Sequence, residues 1–95
     1  MTVFGYPISE EEKRQMLDAM KEKWSMFTIE VAARRAGVGM DGDGPSPLIK
    51  DGYNPDDVQH RAADRLLQQE RKAGSITYDG RYWKKTDPAE KESND

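Results

Sequence analysis

Arg61, Arg65, Gln68 and Lys72 follow one another at steps of four, three and four residues. On a helix this spacing stacks side chains turn over turn along one side. A guanidinium donates in a fork to the O6 and N7 of guanine, a glutamine amide matches the edge of adenine, and the cations neutralise phosphates. The chemistry on offer is therefore recognition of a polyanion by donors. A solvated helix face, with pairs such as Arg61 to Asp57, would use the same residues. His60 stands beside this arc, and Arg34 and Arg35 belong to an earlier segment. Arg81, Lys84 and Lys85 extend the basic set. Between Val58 and Thr86 the cations Arg61, Arg65, Arg71, Lys72, Arg81, Lys84 and Lys85 meet only Asp64, Glu70 and Asp79, although the whole chain carries a net charge of −3. The acidic surplus lies elsewhere, in helix starts, a long loop and the tail.

Other chemistries are poorly provisioned. The chain has no cysteine and one histidine, so disulfides, thiolate sites, structural zinc and Ser-His or Cys-His nucleophile systems lack their partners. "DGDGPSPLIKDG" alternates Asp41 and Asp43 as a calcium loop does, but Pro45, Ser46 and Gly52 occupy the next ligand, glycine and closing-glutamate positions. No carboxylate pair is placed by helical spacing into an apolar cleft. The expectation is no enzyme, no metal and no cofactor. Tyr78, Tyr82 and Trp83 could stack on bases; Trp83 is expected in the core, with Tyr82 the more exposed.

The elements that must carry these residues are legible from caps and periodicity. With 95 residues, 35% hydrophobic and 35% charged, the chain suits one small domain of modest stability. Nothing resembles an export signal or a bilayer span, so a cytoplasmic, membrane-free protein is expected. "ISEEEKRQMLDAMKEKW" reads as a first helix, with Ser9 and Glu12 as a capping box and Met16, Leu17, Met20 and Trp24 as its apolar face. Thr28 is the expected cap of a short second helix bearing Ile29, Ala32, Ala33 and Ala36, closed by Gly37. The segment from about 37 to 55 is long for a structureless connection and should hold some structure, such as a turn at Ser46 to Ile49, or move. Asn54, Pro55, Asp56 and Asp57 start a third helix that Gly74 ends. Ile76-Thr77-Tyr78 and Arg81-Tyr82-Trp83, around Asp79-Gly80, read as a hairpin with a two-residue turn. That turn pairs Ile76 with Trp83 and Tyr78 with Arg81. Residues 87–95 are expected to be a disordered acidic tail after a domain of residues 1–86.

"TIEVAARRAGV" and "RLLQQERKAGSITYDGRYW" resemble, in this order, the first helix of a helix-turn-helix and the end of a third helix running into a wing. The chain is thus similar to the winged helix-turn-helix family of small bacterial and phage regulators. The resemblance implies an α+β, mainly α fold of three helices with a C-terminal two-stranded hairpin. It implies binding of double-stranded DNA, the third helix in the major groove and the wing near the backbone, by Arg34, Arg35, His60, Arg61, Arg65, Gln68, Lys72, Arg81, Lys84 and Lys85. A homodimer is expected, because one small acidic module makes few phosphate contacts. Two features depart from the family pattern: the long segment before the third helix, and Glu70 where a core leucine is usual, for which Arg81 is a candidate partner. The competing expectation is a protein-interaction module, including a phage-type inhibitor of a host protein, docking through Tyr82, Leu48 and Tyr53.

Overall fold

A computed structural model describes residues 1–21 and 23–85; the tail expected from Asp87 onward lies outside the described residues. In chain order the elements are β1 (Thr2–Val3), β2 (Tyr6–Pro7), α1 (Glu10–Asp18), α2 (Met26–Arg35), β3 (Met40–Asp41), β4 (Gly44–Pro45), α3 (Pro55–Lys72), β5 (Ile76–Tyr78) and β6 (Trp83–Lys85). The described residues are of the α+β class, with three helices and three two-stranded antiparallel sheets, β1–β2, β3–β4 and β5–β6. No described helix is long and apolar enough to cross a membrane.

Local capping sets both ends of α3. The Asn54 side chain accepts the Asp57 N–H while Asp57 accepts the Asn54 N–H, each at 2.9 Å, with Pro55 in the first turn. At the other end Gly74 takes φ +74°, and the Gly74 and Ser75 amides donate back to the Arg71 and Glu70 carbonyls. This is a Schellman closure. α2 ends the same way: Gly37 (φ +83°) donates to Arg34, and Val38 donates to Ala33. Val38 and Ala33 are both fully buried, so the motif also anchors the segment that follows. Ser75 resolves the anomaly at Glu70 too, its hydroxyl donating to the Glu70 carboxylate at 2.7 Å. Arg81 is not the partner.

The expected first helix is too long. Its Ser9–Glu12 capping box is present, but the helix stops at Asp18. Met20 and Trp24 are nevertheless 99% buried. Trp24 achieves this in extended form: it donates to the Trp83 carbonyl at 3.0 Å and accepts from the Trp83 amide at 2.8 Å. A helical Trp24 would satisfy its backbone within the helix and leave Trp83 unpaired. The two indoles stack with centroids 6.2 Å apart. The chain between α1 and α2 is thus extended at Trp24, and α2 starts at Met26, earlier than expected. Ser25, not Thr28, is its cap, and Thr28 contributes from inside the first turn by accepting the Ser25 N–H at 3.2 Å.

The C-terminal hairpin forms with another register: Ile76 opposes Lys85, Thr77 opposes Lys84 and Tyr78 opposes Trp83. The turn centres on Gly80 and Arg81, because Asp79 Oδ1 accepts the backbone N–H groups of Arg81 and Tyr82 at 2.9 and 2.7 Å. That places Gly80, φ +98°, first in the turn, where a type II′ hairpin has glycine. Arg81 leaves the strand for the turn. Trp83 packs on the core and tilts against Tyr78 at 5.0 Å, while Tyr82 remains exposed.

Val3, Met16, Met20, Trp24, Ile29, Val38, Val58 and Leu66 fill the core. Fully buried alanines, Ala33 on α2 and Ala62 and Ala63 on α3, keep the helices free of bulk between them. The segment before α3 is built, not loose. β3–β4 folds back on itself, and the Ser46 amide donates to the Gly39 carbonyl. The Ser46–Ile49 turn closes by the Ile49 amide, and buried Gln59 donates its side-chain amide to the Val38 carbonyl at 3.0 Å.

Candidate functional site

α3 presents its donors as a stripe. At about 100° per residue, Arg61, Arg65, Gln68 and Lys72 lie within about 60° of arc; at 1.5 Å per residue they extend over about 16 Å. Arg61, Arg65 and Lys72 are exposed and Gln68 is half-buried. The stripe forms because Val58, Ala62, Ala63, Leu66 and Leu67 commit the opposite side to the core. Charge along the helix is graded. Asp56 and Asp57 lie in its first turn and Asp64 at its middle, whereas Arg71 and Lys72 close its last turn and Arg81, Lys84 and Lys85 continue the basic set on the hairpin.

The other expected residues go to different places. His60 contacts the carboxylate of Glu30 on α2 through Nδ1, on a flank of α3 and not in line with the stripe. Arg34 lies 3.6 Å from Asp56, with both side chains largely in solvent, a pairing worth little. Arg35 lines an open cleft of about 490 Å³ between α1 and α2 with Gln15, Asp18, Phe27 and Val31. Arg81 sits in the exposed hairpin turn, Lys84 beside Thr77, and Lys85 opposite Ile76. In that turn the backbone N–H of Tyr82, then that of Arg81, hold the Asp79 carboxyl below its ordinary range, with Lys23 and Lys84 adding to the effect.

An element that sequence reasoning missed reaches the stripe. β1–β2 turns at Phe4 and Gly5, both at positive φ, +49° and +86°. Its Thr2 carbonyl accepts from Arg65 Nη1 at 2.6 Å, and its Phe4 ring lies under the Arg61 guanidinium, 5.7 Å from centroid to Cζ. Phe4 also stacks on Tyr53, with centroids 3.9 Å apart and planes 7° apart. The Lys50 amide donates to the Phe4 carbonyl at 2.7 Å. Glu12 fixes the hairpin's second strand by accepting the Tyr6 hydroxyl at 2.7 Å. Burial, then this carboxylate, pushes the Tyr6 hydroxyl up to about 12, so it stays a neutral donor. Strands of two residues are too short to show alternation; the available signal was Gly5 between the β-prone residues Thr2 and Val3 on one side and Tyr6 on the other.

Chemically the arrangement offers donors and cations on a convex helix, with an aromatic layer at one edge. A second depression, of about 400 Å³, is lined by Phe4, Asp57, His60, Arg61 and Asp64. Among the described residues no group of three or more His, Cys, Asp or Glu side chains converges as a metal site would need. Comparison with protein families, with curated proteins and with solved structures finds no match for this chain.

Proposed function

We propose that this chain is a small winged helix-turn-helix regulator that binds double-stranded DNA sequence-specifically, with α3 in the major groove and β5–β6 as the wing beside the backbone. One observation carries the reading. The helix bearing Arg61, Arg65, Gln68 and Lys72 runs through Gly74 straight into a hairpin whose second strand is bridged to Trp24, the extended residue between α1 and α2. Helix, bridging residue, helix, helix and hairpin is the order that a winged helix needs, and it sets the basic hairpin beside the C-terminal end of the stripe. The groove is about 12 Å wide and admits one helix. Two copies are proposed to bind together, each with its α3 in successive major-groove turns about 34 Å apart.

Selection from random duplexes, run on the wild type and on Arg61→Ala with Arg65→Ala, tests the reading. If either arginine donates in a fork to a base, its removal should cost about 1–3 kcal/mol and relax preference at one base pair. If both touch phosphate alone, binding should weaken alike on all duplexes and the salt slope should shrink by about one unit per phosphate. Enrichment of no sequence by the wild type refutes the reading. It would then favour docking to a protein partner, a reading supported by Phe27, 67% exposed at the mouth of the α1–α2 cleft, and by exposed Leu48, Tyr53 and Tyr82.

A further inference from the structure

Phe4 is the one non-glycine residue at positive φ among the described residues, at +49°. A bulky residue in this region is strained, and such strain persists where the surroundings impose it. Asparagine or glycine would suit the turn better. The ring is instead held by what it touches: Tyr53 stacked on it and the Arg61 guanidinium over it. One residue pair away along the same hairpin, the Thr2 carbonyl takes one N–H of Arg65. A guanidinium has five donors, so Arg65 keeps the rest for another acceptor. Both arginines remain exposed while their terminal groups are held.

Arginine is costly to order, since its long side chain has many rotamers to lose, and side chains ordered in advance bind with less loss. We infer that the N-terminal hairpin belongs to the DNA-reading surface, with Phe4 as the positioning residue for Arg61 and the Thr2 carbonyl as the rest for Arg65. This inference rests on the DNA reading proposed above. Phe4 is not assigned a contact with a base; it acts through Arg61. The opposite arrangement, a hairpin that blocks the stripe, would require the arginines to be buried beneath it.

The test compares wild type, Phe4→Leu, Phe4→Tyr and Phe4→Asn on a duplex selected by the wild type and on a random duplex, each also in the Arg61→Ala background. Phe4→Leu keeps an apolar side chain but no π face; it should weaken binding to the selected duplex about two- to fivefold and leave the random duplex unchanged. Phe4→Tyr should restore wild-type affinity. Phe4→Asn relieves the backbone strain, so it should lose affinity as Phe4→Leu does while melting no lower than Phe4→Leu. In the Arg61→Ala background none of the three should matter further. Equal losses with and without Arg61, or no loss in Phe4→Leu, overturn this inference alone. No duplex binding by the wild type overturns the DNA reading and this inference together.

Discussion

Replacing Gly5 by alanine separates two costs that a turn glycine can carry. Gly5 has φ +86°, and a Cβ there would stand 2.6 Å from the Leu48 carbonyl oxygen and 3.3 Å from the Lys50 nitrogen. Both neighbours are backbone atoms and cannot rotate away. Gly42, in the β3–β4 turn, has φ +65° and nothing within 4 Å of the same position. Both substitutions carry the left-handed penalty, about 1 kcal/mol. Gly5→Ala must also push the 46–50 segment off β1–β2, losing the 2.7 Å Lys50–Phe4 hydrogen bond, about 1 kcal/mol, and part of the burial of Val3. The sum is about 3 kcal/mol against about 1 kcal/mol for Gly42→Ala. For a domain of this size the melting temperature should fall by about 12–24 °C and about 4–8 °C respectively. Thermal and urea unfolding followed by far-ultraviolet circular dichroism measures both, and an unchanged urea m-value shows that the native state is the same. Equal losses for the two variants would refute the close approach of the N-terminal hairpin to the 46–50 segment, and with it the positioning of Phe4.

Gln59→Leu should lower stability by about 1–3 kcal/mol, because it leaves the buried Val38 carbonyl without its donor; hydrogen exchange should show the loss concentrated in residues 37–54, and an unaltered melt would refute it. The hairpin turn should also weaken in acid. Asp79 has a folded-state pKa below its ordinary value, so its contribution is present above the unfolded value of about 3.9 and is lost as pH falls through the folded value. The Arg81 and Tyr82 amide resonances, followed from pH 7 to pH 2, should move together below about pH 4. In Asp79→Asn, whose side-chain oxygen still accepts, that movement should vanish; persistence there would show that another group titrates.

Features that a few neighbouring residues settle among themselves are legible in the chain alone. The start of α3 at Asn54-Pro55, its end at Gly74 and the Ser9–Glu12 box are hydrogen bonds closed within six residues, so the residues that make them stand together in the sequence. The stripe Arg61, Arg65, Gln68 and Lys72 follows from helical geometry once α3 is known. The hairpin register shows where that reasoning ends. A slip of one residue would have turned Ile76 and Trp83 to the wrong face, but a slip of two keeps every side chain on its own face. The hydrophobic pattern therefore fits both registers, and the carboxylate of Asp79 selects between them. Trp24 is helical by spacing and extended in the fold, because its backbone partner is Trp83, 59 residues away. The partners of Arg61 and Arg65 come from residues 2–4, and no local rule joins chain segments so far apart. Long-range packing sets these pairings. They depend on which buried backbone groups and rings remain unpaired once the helices have met, a condition that exists only in the assembled core.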